Sequence, residues 1–355
     1  MRNSSKICAS RLTSTSRSDA SVGMRALSGL QIGITLGDPR GIGPEVVAGA
    51  LRRMHTSGAD SNCTPVEYVI IGPSDASTAG LPSLPNVRCD PISGWSAANE
   101  VAAGRTSIEA VERGIALALD GAIDGLVTGP ISKHAIAAAG YTYPGHTELL
   151  CERTGVPDVT MIMGAESTPL GGPLRIALLT VHVPLRQVPD LLTEELVWRR
   201  ASIAAAALRD WWGIQRPRLA FAGVNPHASE GGLFGDEEAR VFAPALSRLK
   251  QESDIEIVGL FPADSVFRRC LEGEADLVVA PAHDVGLSVL KTLAPHDGIN
   301  VTAGLPFPRT SPDHGTALDI AGRGVADSRS MEAAIQACIQ FCTRAAGRVE
   351  TGPPP

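Results

Sequence analysis

Short apolar runs recur along the chain, and each is nearly continuous rather than alternating with polar residues. A strand that is covered on both faces has this pattern, whereas a strand with one solvent-exposed face alternates. The runs therefore predict buried strands in a mainly parallel sheet. They occupy residues 31–38, 66–72, 124–130, 175–184, 218–226, 255–264, 275–284 and 298–306.

Segments with helical spacing lie between the predicted strands. They include residues 106–119, 193–212, 236–251 and 330–346. Thr106 and Glu109 have the spacing of a capping box, which predicts that the first of these helices begins there. Regular alternation of strands and helices indicates an α/β fold. A length of 355 residues is enough for about two domains.

Residues 1–29 differ in composition from the rest of the chain. They are rich in Ser and Arg, contain one acidic residue and lack the apolar segment of a secretory signal. We expect a disordered or processed tail. The alternatives are a true start at Met24 and an organelle transit peptide.

The overall composition narrows the classes of partner. A formal net charge of −7 argues against binding to nucleic acid or to an anionic membrane. No apolar run reaches the roughly 18 residues of a membrane span, which predicts a soluble protein. The 7 cysteines form no CxxC pair and indicate reduced thiols in the cytoplasm. Cys338 and Cys342 are one helical turn apart, which favours buried packing over metal or redox use.

Histidines lie at or just beyond the ends of three predicted strands. They are His182, His227 and His283. Ligands of open α/β sheets bind beyond the carboxyl ends of the strands. Three imidazoles with open coordination positions would form a catalytic metal site, and the alternative is three separate histidines bonded to backbone groups. Asp284 is a candidate for orienting a ligand ring or for acting as a base.

A second set of polar residues suits an anionic substrate. His146 and Thr147 lie in a turn before a helix, where hydrogen-bond donors can meet an anion. Arg309 lies beside hydroxyl groups and suits bidentate binding of phosphate or carboxylate, although a structural arginine is an equal alternative. Lys291 and Asn300 flank a short loop of the same region and are candidates for the same site.

In combination, several motifs resemble those of the 4-hydroxythreonine-4-phosphate dehydrogenase family, which acts in pyridoxal phosphate biosynthesis. The resemblance covers residues 31–345. The motifs are GDPRGIGPE, VTGPISK, YPGHTELL, NPHASEGGLFGDEE, PAHDVGLSVLK and GINVTAGLPFPRTSPDHGTALDIAGRG. Three of them depart from the family pattern. Ala282 and Val285 replace an aromatic residue and an amide, Ser229 replaces a glycine, and Arg40 replaces an alanine.

The resemblance implies two α/β/α domains with a cleft between them, as in isocitrate and isopropylmalate dehydrogenases and unlike a Rossmann fold. The glycine-rich segment 35–47 agrees with this, because it contains no GxGxxG motif. We expect the first domain to comprise residues 30–145 and 310–349. The second, with the metal and substrate residues, would comprise residues 146–309. The family also implies a homodimer whose subunits share the active site.

By the same resemblance, the chain is an NAD-dependent dehydrogenase that requires a divalent metal ion (Zn, Mg, Mn or Co). The metal ligands of the family match His182, His227 and His283, and its substrate-binding residues match His146, Thr147, Lys291, Asn300 and Arg309. A metal ion assists alcohol oxidation as a Lewis acid, while Lys291 and Arg309 would anchor a phosphate away from the reacting carbon.

The substrate implied is a small phosphorylated hydroxy acid. The leading candidate is 4-phosphooxy-L-threonine, whose oxidation and decarboxylation give 3-amino-2-oxopropyl phosphate. D-threonate 4-phosphate, D-erythronate 4-phosphate and a dihydrodiol of an aromatic dicarboxylate are the alternative substrates. A non-catalytic metal-binding protein and a metal-dependent hydrolase are alternatives from other classes, and the changes at Ala282 and Val285 bear on the first of them.

Overall fold

A computed structural model describes residues 29–57, 65–73, 81, 83–94, 99–143 and 145–351. The tail predicted over residues 1–29 lies, apart from Gly29, outside these residues. The described part contains one sheet of 11 strands. The strands are β1 (Leu30–Thr35), β2 (Val66–Pro73), β3 (Val87–Ile92), β4 (Gly125–Thr128), β5 (Thr160–Ala165), β6 (Leu174–Leu178), β7 (Arg218–Ala222), β8 (Glu256–Phe261), β9 (Leu277–Ala280), β10 (Ile299–Ala303) and β11 (Arg309–Pro312).

Helices of the described residues connect and cover these strands. They are α1 (Gly43–Ser57), α2 (Glu100–Leu119), α3 (Lys133–Ala138), α4 (His146–Thr154), α5 (Val188–Leu191), α6 (Glu194–Asp210), α7 (Ala243–Leu249), α8 (Val266–Leu271), α9 (His283–Leu293) and α10 (Arg329–Thr351). The helix predicted over residues 236–251 is split, because a single π-helical turn at Glu238–Phe242 precedes α7.

The strand order is β3-β2-β1-β4-β11-β10-β5-β6-β9-β7-β8. It departs from the Rossmann order after β4, where β11 takes the next place. Most neighbouring strands are parallel, and the antiparallel pairs are β11–β10, β10–β5 and β5–β6. Strands of the two predicted domains occupy the two halves of this sheet, meeting at β11–β10. The division into domains itself stays a prediction.

Both faces of the sheet are covered, as the continuous apolar runs predict. Successive side chains of a strand point to opposite faces. In β2, Tyr68 and Ile70 pack in a cluster with α1 and α10, whereas Val69 and Ile71 pack in a cluster with α2. The second half of the sheet has a further apolar cluster with α8 and α9. The α/β fold predicted from the sequence is therefore confirmed.

Every predicted strand is present, but most end earlier than the apolar run does. The run at 175–184, for example, gives a strand that ends at Leu178. His182 therefore lies in the loop that follows β6, four residues beyond its end, and not within the strand. The parallel neighbours β6, β9 and β7 nevertheless lead to His182, His283 and His227 in that order across the sheet.

The predicted start of the helix over residues 106–119, which corresponds to α2, is wrong. α2 begins at Glu100, and the side chain of Asn99 accepts a hydrogen bond from the backbone N–H of Ala102 at 3.1 Å. Thr106 lies within the helix and is 2% exposed. Threonine in a helix interior packs through its methyl group as readily as it caps, so the capping-box spacing alone could not separate the two positions.

The cap on α2 gives a testable consequence for stability. Replacing Asn99 by Ala removes the acceptor for one backbone N–H group at the start of the helix. We expect this variant to lower the free energy of unfolding by about 1 kcal/mol, the usual cost of a lost N-cap. Urea denaturation followed by circular dichroism would measure it. Asn99→Asp keeps an acceptor and serves as the control, and a loss of similar size in the control would contradict the capping role.

The described cysteines are free thiols. Cys338 and Cys342 are buried on α10. Their Sγ atoms lie against Gly125 of β4 so closely that a Cβ atom added at this glycine would be 2.6 Å from each of them. The pair thus packs against the sheet. No helix in the described part of the chain combines the length and apolarity needed to cross a membrane.

Candidate active site

Two of the predicted histidines face each other across one cavity. The ring centroids of His182 and His283 are 5.5 Å apart. The cavity beside them has a volume of about 260 Å³. It is lined by Thr180, Val181, His182, Val183, Leu185, Val188, Ala282, His283 and Asp284. Apolar walls with a few polar groups are typical of a small-molecule site.

The chemical state of both imidazoles suits metal binding. Partial burial, with the nearby positive charge of Lys133, lowers the pKa of His182 and favours the neutral form that binds metals. The Nδ1 atom of His283 lies 2.7 Å from Oδ1 of Asp284. A carboxylate on one ring nitrogen fixes the ring and leaves the other nitrogen for a metal ion. This contact suits a role for Asp284 in orienting His283, which stays a prediction, as does its role as a base.

His227 lies on an exposed loop after β7. Its ring contacts Phe234, with 6.2 Å between the ring centroids. The described residues contain no group of three or more His, Cys, Asp or Glu side chains arranged to hold a metal ion. The structure thus brings His182 and His283 together, but it does not add His227 to the same group. The three-histidine site stays a prediction.

The backbone around His227 has an unusual conformation. His227, Ala228, Ser229, Glu230 and Gly231 have φ values of 55°, 50°, 73°, 44° and 72°. They form a left-handed turn, which costs about 1 kcal/mol or more for each residue other than glycine. Such a turn persists only where surrounding contacts hold it in place, and strained backbone of this kind is frequent at functional sites.

Arg309 is a buried cation with no counter-ion among the described residues. Its side chain is 1% exposed. The guanidinium donates to Oγ1 of Thr302 at 2.9 Å and to Oγ1 of Thr128, while its Nε atom has no partner. Burial lowers its pKa to about 9, so the group is still charged at neutral pH. A charge buried in this way is unfavourable until an anion compensates it.

His146 and Asn300 present further unpaired polar atoms. His146 is the first residue of α4, and its ring is hydrogen-bonded to the backbone of Gly129. The Nε2 atom of the same ring is buried and has no partner. Burial and the positive charge of Arg309 hold its pKa well below the usual range, so the ring is neutral. The Oδ1 atom of Asn300 in β10 is also buried and unpaired. Unpaired buried groups of this kind suit a bound ligand.

The remaining predicted residues are placed differently. Thr147 lies in the first turn of α4, next to His146. Lys291 is already paired, because its Nζ atom lies 2.8 Å from Oδ2 of Asp313 and 2.5 Å from the backbone oxygen of the same residue. Its charge is thereby largely compensated, unlike that of Arg309.

The model of the pyridoxal phosphate biosynthetic protein PdxA matches residues 59–338. The chain belongs to the PdxA family. It is 38% identical to a 4-hydroxythreonine-4-phosphate dehydrogenase of Methylorubrum populi, over 91% of this chain and 97% of the relative. It is also 38% identical to a D-threonate 4-phosphate dehydrogenase of Pectobacterium atrosepticum, over 87% of this chain and 98% of the relative.

Solved structures agree. A 4-hydroxythreonine-4-phosphate dehydrogenase from Klebsiella pneumoniae superposes with a TM-score of 0.76 at 38% identity, covering 89% of this chain and all of that one (100%). The predicted family is thus confirmed, and this PdxA-family chain is a dehydrogenase.

Sequence reasoning missed several polar residues near the site of this PdxA-family chain. Lys133 and Glu148 lie close enough to His182 to lower and raise its pKa, respectively. Lys133 lies five residues beyond the end of β4, in the VTGPISK motif, so the same rule about strand ends could have found it. Thr128 and Thr302 contact Arg309, but single threonines in apolar runs give no signal of such a role.

The departures from the PdxA-family pattern fall in defined places. Ala282 is 6% exposed and lines the cavity beside the two histidines. Val285 packs against the apolar cores. Arg40 donates to the buried carboxylate of Asp38 at 2.9 Å and to Glu100 at 3.4 Å. Only the change at Ala282 alters the wall of the cavity.

Proposed function

We propose that this chain oxidises 4-phosphooxy-L-threonine with NAD and a divalent metal ion, and that decarboxylation of the product gives 3-amino-2-oxopropyl phosphate. The observation that carries the proposal is the position of α4. Its first residue, His146, is close enough to the guanidinium of Arg309 for that charge to lower its pKa, and its third, Glu148, is close enough to His182 to raise the pKa of that ring. One helix start thus separates an anion-binding group from a pair of metal-binding rings.

Arg309 and His146 bind different groups of the substrate. The guanidinium supplies the positive charge that a phosphate requires, and it is held by threonine hydroxyl groups and not by a carboxylate. The neutral ring of His146 accepts a hydrogen bond from a hydroxyl or ammonium group through its free Nε2 atom. Lys291 would add charge only if the substrate competes with Asp313.

Metal binding would use His182 and His283 of one subunit with His227 of a second copy. The support is that the two rings share one cavity while His227 lies on an exposed loop. The loop carries Leu233 and Phe234, which are 73% and 45% exposed. The lining of the cavity includes further exposed apolar residues, Val183 and Leu185. Large apolar side chains that face solvent on both partners favour an interface.

When bound, the metal ion supplies Lewis-acid chemistry to the substrate hydroxyl and NAD accepts the hydride. The chain's own contribution is positional. Asp284 fixes the ring of His283, and burial keeps His182 neutral. Arg309 holds the phosphate end of the substrate and His146 its ammonium or hydroxyl group, so that the reacting carbon is confined beside the rings.

D-threonate 4-phosphate is the second candidate substrate. The specific observation is that the relative named for it is as similar to this chain, at 38% identity, as the first relative named for 4-hydroxythreonine 4-phosphate. The two substrates differ in bearing an ammonium or a hydroxyl group beside the carboxylate. The free Nε2 atom of His146 accepts a hydrogen bond from either.

A substrate panel tests the proposal. Purified protein is supplied with NAD and a divalent metal ion, and NADH formation is followed by absorbance with 4-phosphooxy-L-threonine, D-threonate 4-phosphate and D-erythronate 4-phosphate. We expect one of them to react, 4-phosphooxy-L-threonine first, and a chelator to reduce the rate at least about 100-fold until metal is restored. Unchanged turnover in the chelator would contradict the metal requirement. Metal binding without turnover of any substrate would favour a non-catalytic protein.

A further inference from the structure

One buried carboxylate binds the chain just before the left-handed turn at His227. Glu238, at the start of the π-helical turn, is 6% exposed. Its Oε1 atom accepts hydrogen bonds from the backbone N–H groups of Val224 and Asn225, each at 2.8 Å. Its Oε2 atom accepts a third from Nδ2 of Asn225 at 2.8 Å. The carboxylate thus fixes the two residues through which the chain leaves β7 and enters the turn.

Ser229, a residue of the turn itself, stabilises it through hydrogen bonds to other residues of the loop. It is 3% exposed, and its hydroxyl group donates to the backbone oxygen of Gly235. The backbone oxygen of Ser229 in turn accepts from the N–H group of Phe234 at 3.3 Å. These bonds close the loop across its base. Ser229 has a φ of 73°, where glycine would be free of strain, so the hydroxyl bond offsets a conformation that the residue itself disfavours.

Apolar packing does not explain the conformation of this loop. The largest side chains at its tip, Leu233 and Phe234, are mostly or substantially exposed. The buried polar atoms of Glu238 and Ser229 are therefore the main contacts that can compensate for the left-handed backbone. Buried polar networks with every member bonded specify one conformation strongly.

We propose that Glu238 and Ser229 are positioning residues, which hold the loop so that His227 is presented as a metal ligand. The inference rests on the proposed function, in which His227 completes the metal site. It adds that the ligand is preorganised before the metal arrives. Neither residue touches the substrate or the metal. Each acts through the backbone of the turn.

A matched pair of variants tests this role. Glu238→Gln keeps the size of the side chain but places an N–H group against a donor. Glu237→Gln removes the same charge one residue away, where the carboxylate accepts from Nδ2 of Asn225 at 2.7 Å but not from the backbone of Val224 or Asn225. The metal-free full-length protein is titrated with Co²⁺, and binding is followed by the visible absorption of the ion.

We expect Glu238→Gln to weaken Co²⁺ binding about 10- to 100-fold, the range for residues that orient metal ligands, and Glu237→Gln to stay within about 3-fold of wild type. Hydrogen exchange of residues 224–235 in the metal-free protein supplies an independent readout. It should be faster in Glu238→Gln than in the control. Equal binding and equal exchange in the two variants would overturn the proposal.

If Glu238→Gln does not fold, variants of Ser229 test the same positioning role. Ser229→Ala loses the hydroxyl bond and keeps the strain, whereas Ser229→Gly loses the bond and removes the strain. We expect Ser229→Ala to weaken Co²⁺ binding more than Ser229→Gly does. The reverse order would contradict the account given for this residue.

His227→Ala distinguishes a metal-ligand role of His227 from the positioning role of Glu238 and Ser229. If it loses Co²⁺ binding while Glu238→Gln and Ser229→Ala bind normally, His227 is a ligand and the positioning role is wrong. If His227→Ala binds Co²⁺ like the wild type, the ligand assignment in the proposed function fails, and positioning for metal fails with it. Weakened binding in all three variants supports both.

Discussion

Mixing the inactive variants His182→Ala and His227→Ala is expected to restore dehydrogenase activity, to roughly a quarter of the wild-type value for random pairing in a twofold dimer. The expectation follows from a site shared between two copies. A mixed dimer carries one site in which both substitutions meet and one site in which every ligand is intact. Each variant alone should lose activity roughly 1,000-fold, because the metal contributes several kcal/mol to the reaction barrier.

The control for this experiment uses two rings of the same cavity. His182 and His283 have centroids 5.5 Å apart within one subunit. Mixing His182→Ala with His283→Ala should therefore leave both sites of every dimer incomplete, and activity should not return. Differently tagged subunits, refolded together and purified as mixed species, make the comparison quantitative. Mixed dimers of His182→Ala and His227→Ala without activity would show that the site is not shared in this way.

Replacing Arg309 by Met is expected to raise stability while abolishing activity. The buried guanidinium has no carboxylate partner, and its pKa is lowered to about 9 because the charged form is disfavoured in the folded state. The folded state therefore gains when the charge is removed. We expect the free energy of unfolding to rise by about 2 kcal/mol, within the range found when buried ion pairs give way to well-packed apolar side chains. Without the phosphate anchor, kcat/KM should fall roughly 1,000-fold.

Arg200 supplies the matched control. Burial lowers its pKa as well, but its guanidinium lies 2.9 Å from Oδ1 of Asp158, so its charge is compensated within the protein. Arg200→Met leaves that carboxylate with only the more distant guanidinium of Arg199, at 3.9 Å. It should lower stability and keep activity, the opposite of Arg309→Met. Urea denaturation and steady-state kinetics measure both quantities. If both variants destabilise to the same degree, Arg309 is a structural arginine and its role as an anion anchor is wrong.

The sequence predicted most of the fold because the sheet is covered on both faces. A run such as VEYVIIG is apolar enough to be recognised without context, and it forms β2. Two of the three missed strands lack this property, whereas the third, β5 (TMIMGA), is apolar and largely buried. β3 (VRCDPI) is half-exposed at the edge of the sheet, and β11 (RTSP) is polar although buried. The polar residues of β11 are satisfied by partners that are distant in sequence, such as Ala334 for Thr310. A local pattern carries no information about such partners.

The site was predicted in its parts but not in its arrangement. Strand ends predicted that His182, His227 and His283 would meet, and the structure brings His182 and His283 together because β6 and β9 are neighbours. The same rule gave no warning about His227, since the left-handed turn contains one glycine among five residues. Nothing in the letters NPHASEGG predicts that conformation, which depends on Glu238 and Ser229. The burial of Arg309 without a counter-ion was equally invisible, because hydroxyl groups and not carboxylates surround it.

The position of β11 has a consequence for synthesis on the ribosome. This strand lies in the middle of the sheet, between β4 and β10, yet it is the last strand in the chain order. Residues 160–303 can pair with one another as they emerge, whereas β4 must wait with an open edge until β11 arrives. Non-local pairing of this kind is slow and leaves hydrophobic surface exposed. During synthesis, the exposed edge of β4 in the amino-terminal half is therefore the surface that we expect chaperones to protect.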